Sequence, residues 1–395
     1  MHYVIIGGGI AGTTCAEELR KLDSASKITL ISEEFHALYS RVLLPHYIKG
    51  KIPRERVFLK KESWYAEQQI EWLAGEIIER VDAKNKHIEF VGGGELSYDK
   101  LLIASGSEVK LMDQDLPGVS YLRTLDDADQ LVELMRALPK DAHACIYGGG
   151  FIACEYLNIF HEANIPITLA YRGAHMWSRG ISEEAGMLIK NQLVQNGITV
   201  IENAKEIECI GEKTIESIFI NGQTYPCSLL GVGVGVAPHF SLLQESGIQM
   251  HEGILTNAFL ETNVKDVYAA GDVAEFFDER FERTFITGNW MNAQMQGRVA
   301  ARNMTGSHAA FDLVSSYAMN IVGIEIIFIG DTSRTHADET RLIGTVEAGG
   351  VTELFVRKNK LVGAILTGRN MDRAILTKLI QEKADLTDSG VVLPM

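Results

Sequence analysis

The sequence predicts an α/β protein in which one strand–glycine turn–helix–strand unit occurs twice, followed by a small C-terminal α+β segment. Three observations predict it. An apolar strand, Tyr3-Val4-Ile5-Ile6, runs into Gly7-Gly8-Gly9-Ile10-Ala11-Gly12 and then into a helical pattern through Ala16, Leu19 and Leu22. The same order returns at Ala144-Cys145-Ile146-Tyr147 and Gly148-Gly149-Gly150-Phe151-Ile152-Ala153. The chain has 395 residues, 46% of them apolar and 23% charged, which is ordinary for a globular protein of several domains.

Taken in order, the first strand and helix lead to a second strand at residues 28–31, ending in Ser32-Glu33-Glu34. This is a βαβ unit with its glycines at the strand-to-helix turn. Residues 87–91 and 95–98 flank Gly92-Gly93-Gly94 and read as a hairpin. The second unit has its strand at 144–147, a helix over 155–163 and a strand at 167–170 that ends at Tyr171-Arg172. The two units are too far apart for a solenoid repeat and indicate two similar domains. Residues 214–220 and 223–228 flank Asn221-Gly222, the strongest short hairpin signal. The tail reads as a three-stranded meander over 341–347, 351–357 and 361–367, then a helix over about 371–382.

Composition removes several classes. Lys and Arg number 37 against 52 Asp and Glu, a net charge of −15, and such a surface repels phosphate backbones, so no nucleic-acid partner is expected. There is no apolar run of membrane-spanning length and no basic n-region, so no membrane span and a cytoplasmic location are expected. The five cysteines form neither a CxxC nor a CxxxxC pair, so neither a metal site nor a disulfide framework is expected.

The chemistry lies in the glycines. In Gly7-x-Gly9-x-x-Gly12 the first glycine makes the tight turn, the second lets backbone approach a pyrophosphate and the third lets helix and strand close up. The helix N-terminus offers free N–H groups to the phosphates, and Glu33 stands where an acid accepts from ribose hydroxyls. These features predict dinucleotide binding on two Rossmann-like, three-layer β/β/α domains. The second motif differs: Ala153 replaces the third glycine, and Tyr171-Arg172 ends the strand where an acid would favour NAD. Arg172 pairing with a 2′-phosphate of NADPH, NADH held by other contacts, and a degraded site all remain open.

Three more segments carry a family resemblance. Tyr98-Asp99-Lys100-Leu101-Leu102-Ile103-Ala104-Ser105-Gly106-Ser107 resembles the crossing between FAD and NAD domains. Thr262 with Tyr268-Ala269-Ala270-Gly271-Asp272 resembles the second FAD fingerprint, and Asn289-Trp290 with Ala293, Gln296-Gly297-Arg298 and Ala300-Ala301 resembles the helix after it. Together they resemble the FAD-dependent pyridine nucleotide-disulfide oxidoreductases. The branch is that of rubredoxin and ferredoxin reductases and the flavin module of the nitrite reductase large subunit.

That resemblance implies an FAD-binding domain over 1–110 and 246–315, an NAD(P)-binding domain over 111–245, and a C-terminal domain over 316–395 that covers the flavin or forms a homodimer contact. FAD contacts are implied for Gly7, Gly9, Ile10, Ala11, Gly12, Glu33, Glu34, Arg41, Ala104, Ser105, Gly106, Gly271, Asp272 and Trp290. Nicotinamide dinucleotide contacts are implied for Gly148, Gly150, Phe151, Ile152, Tyr171 and Arg172. His46 stands where several members keep a lysine near flavin N5, and Glu155 where relatives keep a glutamate near the nicotinamide. In the branch that carries a single redox cysteine, the matching position here is Val42. The implied activity is hydride transfer from NADPH or NADH to FAD, then electron transfer to a small rubredoxin- or ferredoxin-like protein or to a partner subunit. The tail and the basic cluster Lys49, Lys51, Arg54, Arg56, Lys60 and Lys61 are the candidate docking patches for an acidic partner. Two other readings stay open: an NAD(P)H oxidase acting on oxygen or a small acceptor, and an FAD-holding subunit with a degenerate nicotinamide site.

Overall fold

Alternation along one strand builds the first set of layers. In the computed structural model, which describes residues 1–114 and 116–387, strand His2–Ile6 is almost wholly buried. Tyr3 and Ile5 join a core with Cys15 and Leu19 of helix Ile10–Leu22 and Ala300 and Met304 of helix Trp290–Met304. Val4 and Ile6 join a second core with Val81 and Ile88 of strands Ile78–Asp82 and His87–Phe90. Side chains alternate with a period of two, so a strand apolar throughout has two faces to cover. Helices cover one face, and the antiparallel meander Ile78–Asp82, His87–Phe90, Glu95–Ser97 covers the other. Between them lies a parallel sheet in the order Val267–Ala269, Lys100–Ile103, His2–Ile6, Lys27–Ser32, Glu71–Ala74.

The plan recurs in the second unit. Its parallel sheet runs Thr199–Ile201, Ile167–Ala170, Ala144–Tyr147, Leu229–Val232, Val119–Ser120. Cys145 and Tyr147 face the meander Ile207–Ile210, Ser217–Ile220, Gln223–Pro226, while helix Phe151–Glu162 packs on the same strands from elsewhere. Asn221 and Gly222 make the meander's tight turn with φ of 49° and 86°, the pair of left-handed conformations that a type I′ turn requires.

The tail holds two more strands than the sequence predicts. Its antiparallel sheet runs Ser316–Ile321, Ile324–Gly330, Lys360–Thr367, Gly350–Arg357, Glu339–Thr345, and helix Arg373–Gln381 packs on it. The first hairpin escapes sequence reading because its turn is Val322-Gly323, with Val322 at φ 47°, a conformation that β-branched residues rarely take. Distant groups hold it: the Val322 N–H donates to Asn158 Oδ1 at 3.0 Å, and Gln192 Nε2 donates to the Val322 carbonyl at 2.6 Å. Glu353, buried in the same sheet, accepts from the Ser182 N–H at 2.6 Å and pairs with Arg334.

Contacts divide the chain into two compact units. Residues 1–43, 53–108 and 236–313 make the first, and residues 44–52, 109–235 and those from 314 onward make the second. The C-terminal sheet, set apart in the sequence reading, and the stretch 44–52 thus cluster with the second glycine motif. Residue 115, and residues 388–395 of the expected 316–395 segment, lie outside the described residues. Among the described residues, no helix is long and apolar enough to cross a membrane.

Candidate functional site

The first glycine turn sits at the carboxyl edge of the first unit's sheet. Gly7 has φ 113°, and a Cβ there would lie 2.1 Å from the Ala104 carbonyl oxygen. Only glycine allows both the conformation and the approach. Gly12 would place a Cβ 2.0 Å from the Gly7 carbonyl oxygen, so helix and turn touch backbone to backbone. Gly9 is different. Among the described residues beyond its chain neighbours, its Cβ would meet only Arg41 Nη1, at 3.8 Å, and it starts helix Ile10–Leu22 without a side-chain cap. The unsatisfied N–H groups of that helix start face open space beside a cation, an arrangement that suits phosphate.

Neighbouring loops complete the cradle. Ala104 is buried, with Ser105 exposed and Gly106 at φ 76° beside it. Gly271, at φ 83°, would place a Cβ 3.2 Å from that of Ala11, and Gly297 would place one 2.1 Å from the Ala11 carbonyl oxygen. Ala11 is therefore wedged between two glycines, while Ile10 stays partly exposed. The sequence carries Gly297 within the motif of the helix after the second fingerprint; its close approach to Ala11 is what the structure adds. The Gly271 N–H donates to Gln296 Oε1 at 2.7 Å. Gln296 Nε2, Asn292 Oδ1 and Thr287 Oγ1 are buried without a hydrogen-bond partner. Asp272 lies by Gly288, 3.9 Å from its Cβ position, and Trp290 opens the helix that carries Asn292 and Gln296. Buried polar atoms normally find partners. These residues therefore fit a large polar ligand such as FAD.

Glu33, Glu34 and Arg41 follow strand Lys27–Ser32. Glu33 is exposed directly at the strand end. Glu34 pairs with Arg41 and accepts from the Tyr39 hydroxyl at 2.5 Å, while the Arg41 guanidinium lies 5.1 Å from the Tyr39 ring centroid. Glu34 and Tyr39 thus brace Arg41 next to Gly9.

The second turn repeats the first with one exchange. Gly148, at φ 140°, would place a Cβ 2.2 Å from the Gly233 carbonyl oxygen. Gly150 starts helix Phe151–Glu162 without a side-chain cap, and among the described residues beyond its chain neighbours only Trp177 Nε1, at 3.9 Å, lies near its Cβ position. Ala153, in place of the third glycine, is fully buried, and the close approach moves to Gly233, whose Cβ would lie 2.8 Å from the Ala153 nitrogen. Phe151 is 37% exposed and Ile152 partly buried. Gly233 was not foreseen; its signal was the alternation of Gly231, Gly233 and Gly235 with valine.

Tyr171 is buried under Gly149, whose Cβ position is 3.1 Å from the Tyr171 Cβ. Burial, then the charge of Glu202, pushes its hydroxyl pKa up, and that hydroxyl donates to Glu202 Oε1 at 3.3 Å. An acid does therefore stand near this strand end, supplied just past strand Thr199–Ile201 and also held by Lys190 at 2.6 Å. Arg172 is exposed, and its Nε donates to the Tyr147 hydroxyl at 2.8 Å.

Glu155 is partly buried, and burial lifts its carboxyl pKa, with the charge of Lys49 opposing. His46 is exposed on the short helix Leu44–Ile48, which packs against helix Phe151–Glu162 in the same unit. Much of the basic cluster is already paired: Lys49 and Lys51 with Glu162, and Lys60 with Glu17. Arg56 and Lys61 are exposed. All five cysteines are free and buried; burial pushes the thiols of Cys15 and Cys154 up, and that of Cys209 to about 11. A thiol so raised is little ionised at neutral pH and reacts poorly. Among the described residues, no cluster of His, Cys, Asp or Glu is fit to hold a metal ion.

The family model described as pyridine nucleotide-disulphide oxidoreductase matches residues 1–297. The chain is 26% identical over 398 residues to a nitrite reductase [NAD(P)H] of Bacillus subtilis, covering 99% of this chain and 48% of that protein. It is thus about half the length of that relative. It is also 26% identical over 377 residues to an NADH-rubredoxin oxidoreductase of Clostridium acetobutylicum, covering 95% of this chain and 92% of that one. The fold matches the crystal structure of a covalent putidaredoxin reductase–putidaredoxin complex with a TM-score of 0.89 at 21% identity, over 99% of this chain and 96% of the other.

Proposed function

The chain belongs to the pyridine nucleotide-disulphide oxidoreductase family, and from that premise we propose that it is an FAD-dependent NAD(P)H oxidoreductase. It passes electrons to a small rubredoxin- or ferredoxin-like protein and uses no redox-active disulfide. The observation that carries this is a pair of glycine turns, each with open backbone at Gly9 or Gly150, in a chain whose thiols are all buried. When bound, FAD supplies the redox chemistry, accepting a hydride from NAD(P)H and releasing its electrons to the acceptor.

The protein binds and orients. Backbone N–H groups after Gly9 take the FAD pyrophosphate, Arg41 adds charge there, and Glu33 accepts from ribose hydroxyls. Gln296, Asn292 and Thr287 bring buried polar atoms to the same ligand. In the second unit, the turn at Gly150 takes the nicotinamide dinucleotide and Arg172 meets a 2′-phosphate where one is present. Glu155 positions the nicotinamide through a carboxyl that burial keeps easily protonated, and His46 carries protons at the reacting end. The intact approach of Gly233 to Ala153 favours a working second turn over a degenerate one. For an acidic partner, Arg56 and Lys61 are the basic side chains of the cluster best placed to attract it.

Anaerobic mixing of the flavin-loaded protein with NADH or NADPH tests the proposal. Rapid loss of the flavin colour, restored by added rubredoxin or ferredoxin, is the expected result. Oxygen consumption at full rate without any protein acceptor would mark an oxidase instead. No bleaching by either nucleotide would leave an FAD-holding subunit.

A further inference from the structure

Trp177 lies on the second glycine turn and carries a donor with no acceptor. Its backbone N–H donates to the Gly149 carbonyl at 2.9 Å, which pins the loop after Arg172 onto the turn. Its φ is 47°, a conformation that bulky residues rarely hold without support. The support is visible: the N–H groups of Gly180 and Ile181 donate to the Trp177 carbonyl at 2.7 and 3.1 Å. The ring packs edge-on against Phe151 at 5.3 Å and Phe328 at 5.9 Å, and Tyr317 stacks on Phe328 at 5.2 Å. These contacts hold the indole beside the turn. Among the described residues its Nε1 is buried without a partner, and it is the one atom beyond Gly150's own chain neighbours within 4 Å of the Gly150 Cβ position.

A buried N–H left unpaired is unfavourable and uncommon. Here it faces the start of helix Phe151–Glu162, whose own first N–H groups have no side-chain cap. Both sets of donors lack the same thing, an anionic acceptor on Gly150. Phenylalanine would keep an aromatic ring against Phe151 and Phe328, so these ring contacts by themselves do not require an N–H. We infer that Trp177 is a further binding residue for the nicotinamide dinucleotide, its indole N–H donating to the pyrophosphate seated on Gly150. This rests on the reading of the second turn as the NAD(P)H site.

The test uses FAD-loaded protein, so that the first turn is filled, and calorimetric titration with ADP-ribose, which carries the pyrophosphate but no nicotinamide. Trp177→Phe keeps a ring and removes the donor; it should weaken ADP-ribose binding about tenfold or more, with flavin content and melting temperature unchanged. Phe328→Leu loosens the ring packing but keeps the N–H, and should weaken binding far less. Unchanged or tighter binding by Trp177→Phe would overturn the inference, as would equal losses in the two variants. If the natural protein binds neither ADP-ribose nor NAD(P)H, the second-turn reading itself falls and this inference falls with it.

Discussion

Gly12→Ala puts the close packing of the first turn to a quantitative test. The added Cβ would lie 2.0 Å from the Gly7 carbonyl oxygen and 3.0 Å from Ile5 Cγ2. The first distance is about 1 Å inside the 3.0 Å that real Cβ atoms essentially never cross. The offending atom is backbone, so no side chain can rotate away; helix Ile10–Leu22 must move instead. Overpacking of this kind costs about 1–3 kcal/mol, and a clash with fixed backbone belongs at the upper end. Alanine returns about 1 kcal/mol in helix propensity. The net loss is then about 1–2 kcal/mol, and the shift also displaces the N–H groups after Gly9, so FAD affinity falls as well. The reverse change at the matching position, Ala153→Gly, relieves no clash and loses both propensity and a buried methyl, about 1–2 kcal/mol. Thermal unfolding and flavin stoichiometry of both variants report the outcome. A Gly12→Ala protein with natural melting temperature and full flavin would refute the argument that helix and turn are in backbone contact.

Gly150→Leu fills the open space at the second turn, so NAD(P)H should no longer bleach the flavin while bound FAD is retained; unchanged reduction kinetics would remove that turn from the reaction. Arg172→Ala should weaken NADPH binding about tenfold or more and leave NADH unaffected, measured by titration with each nucleotide, as expected for loss of one charge-assisted contact. Glu155→Gln tests a buried carboxyl. Burial holds the folded pKa above the ordinary 4.5. Such a group contributes stability fully present below the unfolded pKa and lost as pH rises through the folded value. The variant should therefore melt higher than the natural protein at neutral pH, and this gain should vanish below pH 4.5.

Local rules carried most of the fold. The glycine turns, the strand pairs at 2–6 and 27–32, and the Asn221-Gly222 hairpin need only neighbouring residues, and each formed where the sequence placed it. The Ser316–Ile321 hairpin was invisible because its Val322-Gly323 turn is imposed by Asn158 and Gln192, far away in the chain. The site was legible to the same limit. Gly7, Gly9 and Gly12 announce themselves by spacing. Gly233 and Gly297 matter only because another segment approaches them, and Trp177 only because its loop folds back on Gly149. Likewise Glu202 serves the strand end at Tyr171 from just past the neighbouring strand, a pairing that no spacing encodes.

Strand Val267–Ala269 closes one edge of the first unit's sheet against Lys100–Ile103, although residues 109–235 between them belong to the other unit. On the ribosome, that sheet stays one strand short until residue 269 has emerged, and the cradle around Gly271 stays open until helix Trp290–Met304 follows. Such long loop closures are slow steps in folding. With the flavin seated as proposed in that cradle, its capture is a late event in the life of the nascent chain. A cell short of flavin would accumulate protein with an unfilled polar cradle, the form most exposed to proteases and chaperones.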